Sequence, residues 1–230
     1  MPFELVAQPE RIFPTGVVDG YPATAMQVRM LRKTAEDAAQ AAYHDVFSYR
    51  LVLPLDEDHL RLAVDRLVAE HDVFRTAFSM HDYSVPMQLV YSAVVPALEV
   101  IDLSSVDEDE RERLFAEWFE REKQTGFDWA DPHLVRFFAH RGGAGEFTLT
   151  VSFHHSILDG WSLSLFVRDL LTVYGALLAG RPQPVTVVPS LRYRDYVQAE
   201  LDCLRSSTAQ RDFWMEKLAD HTFAALPRPG

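Results

Sequence analysis

The sequence predicts an α/β fold, a two-layer sandwich of helices on a sheet. Three observations predict it. Apolar residues recur at helical spacing in several segments, as with Leu60, Val64, Leu67 and Val68. Short alternating runs fall between those segments. Two of these runs, His133–Arg141 and Glu146–His154, flank Gly142-Gly143-Ala144-Gly145 and read as a hairpin. Helices and strands alternate, but the hairpin argues against strict βαβ winding.

The elements follow in order. Residues 1–23 read as loop, because Pro2, Pro9, Pro14, Gly16, Gly20 and Pro22 interrupt any period. Thr24-Ala25-Met26-Gln27 has capping-box spacing and opens a helix to about Lys33. Val46–Leu53 reads as a strand bounded by Pro54, and Asp56–Asp72 as a helix. Phe74–Phe78, Pro86–Tyr91 and Leu98–Leu103 are further strand candidates. Ser105-Val106-Asp107-Glu108 reads as a second capping box. The helix it opens runs to about Gln124, with Leu114, Phe115, Trp118 and Phe119 in its apolar stripe. After the hairpin comes a helix from Trp161 to Leu178, with Leu163, Phe166, Val167, Leu170, Tyr174 and Leu177 on one face. Gly180 and Pro182 stop it. Tyr193–Leu218 is a final helical region, and Ala224–Gly230 reads as a linker. The pattern shows no repeat and no internal domain boundary.

Composition narrows the functions. The chain has 230 residues, 48% of them hydrophobic, which is enough for a sizeable core. Asp and Glu number 34 against 22 Lys and Arg, a net charge of −12. That balance argues against nucleic acid or an anionic membrane as partner, since both need positive charge to meet phosphate. The single cysteine, Cys203, excludes an internal disulfide and reads as a small packing residue in a helix. No apolar run in the sequence approaches the roughly 18 residues that span a bilayer. Met1-Pro2-Phe3-Glu4 has no signal-peptide character, so the expectation is a reduced, cytoplasmic setting.

The chemistry concentrates at the end of the hairpin. In Phe147–His155, Phe147, Leu149, Val151, Phe153 and His155 share one face; Thr148, Thr150, Ser152 and His154 share the other. The adjacent histidines therefore point apart, and one at most faces a given cleft. Histidine titrates near neutral pH and can take and return a proton. Asp159, four residues after His155, can orient the imidazole, brace the loop through an ion pair or cap the next helix. Gly160 lets a substrate approach the backbone closely. On the residues alone, a hydrogen-bonded structural histidine competes with an acid/base site. A metal pair at His155 and Asp159 finds no third ligand at recognisable spacing.

Phe153-His154-His155-Ser156-Ile157-Leu158-Asp159-Gly160-Trp161-Ser162 resembles the H-H-x-x-x-D-G-W-S motif of nonribosomal peptide synthetase condensation domains. These domains belong to the chloramphenicol-acetyltransferase-like superfamily. Tyr21–Leu31 resembles the family's first motif, with Thr24 where serine is usual. Glu70-His71-Asp72-Val73-Phe74-Arg75-Thr76-Ala77-Phe78 resembles the second, and Tyr193-Arg194-Asp195-Tyr196-Val197 the fourth. Phe213-Trp214 suits the region after it. Four matches in order cover most of the chain. Outside Arg75 their residues read as capping and packing: Thr24 and Gln27 cap a helix, and Tyr193, Tyr196 and Trp214 fill core.

The resemblance implies one lobe of a two-lobe chloramphenicol-acetyltransferase-like fold, with the C-terminal lobe missing from residues 1–230. It implies His155 as the catalytic residue, acting as base on an acceptor amine or positioning it, and His154 as structural. Arg75 would pair with Asp159 to brace the loop. Gly160, Trp161 and Ser162 would border the substrate channel. Donor and acceptor peptidyl carrier proteins would be the partners, and their phosphopantetheine arms would deliver substrates. No metal and no directly bound cofactor is implied. The context of Ile157–Ser162 resembles domains that take a D-configured donor. A lone lobe is expected to be inactive. The competing readings are a non-catalytic lobe that docks carrier proteins, and a single-lobe trimeric acyltransferase. The trimer ranks lower because residues 161–230 follow the motif, whereas in that family the motif lies near the C-terminus.

Overall fold

The computed structural model describes residues 13–36, 41–143, 145–184, 191–206 and 208–222. The chain forms two compact units, 1–190 and 191–230, where the sequence pattern gave no internal boundary.

The first unit carries two sheets. One has the strand order β1-β4-β3, from β1 (Val17–Pro22), β3 (Thr76–Ser79) and β4 (Met87–Tyr91). The other has the order β2-β7-β6-β5. Its strands are β2 (His44–Leu51), β5 (Ala97–Asp102), β6 (Val135–Arg141) and β7 (Phe147–His154). The hairpin is as expected, with β6 and β7 antiparallel from Val135 opposite Phe153 to Arg141 opposite Phe147. The β5–β6 pair is parallel.

Strand β1 corrects the loop reading of residues 13–23. Its stability comes from pairing with β4, Pro22 opposite Met87, a distant contact that a local period cannot register. Pro22 sits at the strand's end, where a missing N–H costs little. Residues 1–12 and the linker reading of Ala224–Gly230 lie outside the described residues.

Helices cover both faces of the four-stranded sheet. On one face Phe147, Leu149, Val151 and Phe153 join a buried cluster with Leu60, Val64 and Leu67 of α2 (Glu57–Glu70) and Phe166, Leu170 and Tyr174 of α4 (Gly160–Leu178). On the other lies α3 (Glu108–Gln124). There Glu122, 6% exposed, accepts from Arg136 Nη2 at 2.7 Å and from Ser152 Oγ at 2.5 Å. Trp118 packs edge-on against Phe138 and His140.

The caps are explicit. At α1 (Ala25–Glu36), Thr24 and Gln27 form a reciprocal box: the Thr24 amide donates to Gln27 Oε1 at 2.9 Å, and the Gln27 amide to Thr24 Oγ1 at 3.2 Å. The second expected box is displaced. Asp107, not Ser105, caps α3 and accepts from the Glu110 amide at 3.0 Å, since a carboxylate is the stronger partner for a helix N-terminus. Helix α4 ends as its glycine requires: Gly180 has φ +60°, and Arg181 N–H donates to Ala176 O at 2.9 Å.

Helix α4 is, by length and composition, apolar enough to cross a bilayer, contrary to the sequence reading. Its buried stripe of Leu163, Phe166, Val167, Leu170, Val173, Tyr174 and Ala176 instead makes it the central core helix of this unit.

The second unit contains α5 (Tyr193–Ser206) and α6 (Thr208–Lys217) in place of one continuous helical region. Tyr193, Tyr196 and Trp214 are exposed, which corrects the expectation that they fill a core. Two short helices have too little chain to enclose them. The rings pair with neighbours instead, Tyr193 with Tyr196 and Phe213 with Trp214. Cys203 is exposed on α5 rather than packed.

Candidate active site

The two histidines diverge as the strand's two-residue period requires. His154 is 1% exposed. Its Nδ1 meets the Ser156 hydroxyl at 2.8 Å and accepts from the Ser156 amide at 3.2 Å. Its Nε2 lies 2.9 Å from Thr34 Oγ1. The Thr34 hydroxyl hydrogen has the carbonyl oxygens of Met30 and Ala42 to serve, so Thr34 accepts from His154 Nε2–H. Both nitrogens are thus occupied, and burial pushes the ring's pKa down to about 4. His154 is a neutral joint between α1 and β7.

His155 is half-exposed. Its backbone N–H donates to Tyr43 O at 2.8 Å, which continues the β2–β7 edge by one residue. Its Nδ1 lies 2.5 Å from Asp45 Oδ2, from the start of β2. The chain enters β2 through Ala41 and Tyr43, at φ +45° and +63°. Non-glycine residues rarely adopt that conformation.

The motif loop is held from beneath. Gln27 Nε2 donates to Ser156 O and to Gln88 Oε1, both at 3.0 Å. Ile157 and Leu158 turn into the core. Asp159 then caps α4 and accepts from the Ser162 amide at 2.7 Å. That bond holds the Asp159 carboxyl below its ordinary pKa.

The expected ion pair between Arg75 and Asp159 is not among the contacts of the described residues. Arg75 is 8% exposed and pairs with Asp72 at 2.7 Å. It also donates to the carbonyl oxygens of Val68 at 3.1 Å and Tyr91. It thus ties the end of α2 to the end of β4. The Asp72 partner sits three residues away, so the guanidinium needs no distant carboxylate.

Gly160, Trp161 and Ser162 are exposed at the start of α4. A Cβ at Gly160 would meet nothing within 4 Å, so internal packing does not demand glycine there. A separate cavity of about 290 Å³, lined among others by Arg50, Arg111, Glu146, Phe115, His140 and Thr148, lies at the other end of β7. Sequence reasoning missed Asp45 and Thr34. The only available signal was an acidic residue beside His44 at the head of a strand, and nothing local assigns β7 as its neighbour.

Comparison with known proteins fits this geometry. The family profile described as Condensation domain matches residues 17–229. The AMB antimetabolite synthetase AmbE of Pseudomonas aeruginosa is 37% identical over 98% of this chain, which spans 11% of that protein. Chondramide synthase cmdD of Chondromyces crocatus is 30% identical over 91% of the chain, which spans 5% of it. Among solved structures, the SgcC5 protein from Streptomyces globisporus superposes with TM-score 0.72 at 27% identity, over 90% of this chain and 48% of that one. The first condensation domain of the CDA synthetase superposes with TM-score 0.72 at 23% identity, over 89% and 51% of the two chains. With its chloramphenicol-acetyltransferase-like α/β fold, covering about half of those solved chains, this chain belongs to the condensation-domain family of nonribosomal peptide synthetases.

Proposed function

We propose that this chain is the His155-bearing N-terminal lobe of a site that joins a carrier-bound acyl or peptidyl thioester to an acceptor amine. The observation that carries the reading is the division of labour between the histidines. His154 has both nitrogens engaged, while His155 is half-exposed with Nδ1 held and Nε2 left as the nitrogen to meet substrate.

In this reading the acceptor amine nitrogen attacks the thioester carbonyl carbon. The proton shed by the amine passes to His155 Nε2, or the same contact simply aims the amine. The C–S bond then breaks, the amide forms, and the phosphopantetheine thiol leaves with a proton. Both substrates ride on donor and acceptor carrier proteins, in a cytoplasmic assembly. The open space at Gly160 supports it, with Trp161 and Ser162, as the border of the channel for a pantetheine arm. His154 braces the site from behind, while Arg75 braces the junction of α2 with β4. Because the chain covers 51% of the solved CDA domain, the reading puts the opposite wall on a second lobe and expects residues 1–230 alone to be inactive. The resemblance of the motif loop to that of domains taking a D-configured donor supports a D-configured donor here.

The test is amide formation from a carrier-bound donor and an aminoacyl acceptor, with the 230-residue chain and with a two-lobe domain that contains it. Activity in the two-lobe domain alone supports the reading. Activity in the short chain points to a self-assembling single-lobe acyltransferase, and an inactive two-lobe domain to a lobe that only docks carrier proteins.

A further inference from the structure

We propose that Asp45 is a positioning residue for His155, holding its ring in the tautomer that leaves Nε2 unprotonated; the inference rests on the function proposed above. Four observations support it.

The first is direct contact, with Asp45 Oδ2 2.5 Å from His155 Nδ1. A carboxylate only accepts hydrogen bonds, so the shared hydrogen belongs to Nδ1, and in the neutral ring the lone pair is then on Nε2. The second is that Asp159, the aspartate that the motif itself offers, caps α4 through the Ser162 amide and makes no hydrogen bond to the His155 ring among the described residues. The third is the frame. Asp45 pairs across the sheet with Phe153, and the next β2–β7 contact beyond the strands is the His155 amide on Tyr43 O at 2.8 Å. The ring and its partner are therefore clamped by one continuous ladder, with the Tyr43 ring alongside, 6.4 Å between centroids. The fourth is strain. Ala41 and Tyr43 take left-handed backbone angles in the turn that delivers Asp45. Residues held there persist only where surrounding contacts fix them. Here Thr34 Oγ1 donates to Ala42 O at 2.9 Å, and His155 N–H donates to Tyr43 O.

Asp45 touches His155 and not the reacting atoms, so its role is orientation. Without it the imidazole is free to carry its hydrogen on Nε2, where it would present a donor to an amine that must lose a proton.

The experiment uses the two-lobe domain containing this chain, labelled with 15N-histidine, in wild-type, Asp45→Ala, Asp45→Asn and His155→Ala forms. The first readout is the tautomer of His155 from the 15N shifts of its ring, assigned with His155→Ala. The second is kcat and KM for the carrier-bound acceptor. The expected result for Asp45→Ala is a His155 signal moved toward the Nε2–H tautomer. Its kcat should fall about 10²-fold, within the ~10²–10⁴ that positioned proton transfer supplies, with KM unchanged. Asp45→Asn keeps the side chain's shape, and its amide oxygen still accepts weakly, so it should recover part of both signals. An unchanged tautomer in Asp45→Ala overturns the inference whatever happens to kcat, because lost activity would then be structural. A shifted tautomer with unchanged kcat overturns it too. If His155→Ala retains activity, the proposed function falls, while the tautomer readout still reports whether Asp45 sets the ring.

Discussion

Gln27 reaches Ser156 across 129 positions of sequence: its side-chain amide donates to the Ser156 carbonyl oxygen at 3.0 Å. The same side chain accepts from the Thr24 amide and donates to Gln88, so one glutamine joins the cap of α1, strand β4 and the motif loop. At 5% exposure it has no water to fall back on. Replacing it with leucine strands buried polar groups, which costs about 1–3 kcal/mol. A lower urea midpoint at unchanged slope would register it.

Asp159 and Arg75 should behave as strangers. Asp159→Ala removes a helix cap and should cost about 0.5–2 kcal/mol. Arg75→Ala should cost more, since it leaves the Val68 carbonyl and the Asp72 carboxylate without their guanidinium. The double variant should be additive to within about 0.5 kcal/mol by chemical denaturation. A coupling of several kcal/mol would restore the ion pair the family resemblance implied.

Glu122 is the buried charge of the α3 side. Arg136 Nε and Nη2 donate to its Oε1 at 2.9 and 2.7 Å. Glu122→Ala takes the carboxylate away from Arg136 and Ser152, leaves the guanidinium with only the carbonyl oxygens of Thr125 and Gly126, and should lower stability by about 3–5 kcal/mol. Removing both charges, as Glu122→Met with Arg136→Met, should return much of that loss in the same unfolding assay.

Acid should weaken the fold through its buried histidines. Burial holds His154 and His140 down to about 4 against an ordinary 6.5. A base whose folded pKa is depressed contributes stability above the unfolded pKa, which drains away as pH falls from 6.5 towards 4. Neither ring nitrogen of His140 has a hydrogen-bond partner among the described residues, and the ring packs on Phe115 and Trp118. His140→Phe keeps the packing and should make the decline of the urea midpoint below pH 6.5 shallower than in the wild type.

Local chemistry was legible in the sequence, and distant pairing was not. The Thr24–Gln27 box, the hairpin and the divergence of His154 from His155 each follow from spacing within a few residues, and the structure has them. Strand β1, hidden among prolines and glycines, exists because β4 pairs with it. Asp45 sits 110 positions from His155, and Glu122 is 30 from Ser152, so neither contact leaves a periodic trace. The Arg75–Asp159 expectation failed because a motif carries residue types but not their partners, and Asp72 was nearer. Tyr193, Tyr196 and Trp214 looked like core because aromatic residues at helical spacing usually are; two short helices cannot enclose them.

The most direct test of the central claim is the single-turnover rate of amide formation in the two-lobe domain, with carrier-bound donor and acceptor, for wild type and His155→Ala. Loss of the positioned imidazole should slow that step by about 10²–10⁴-fold while the unfolding midpoint holds, because the half-exposed ring carries little of the core. A His155→Ala domain that forms the amide at the wild-type rate would contradict the account.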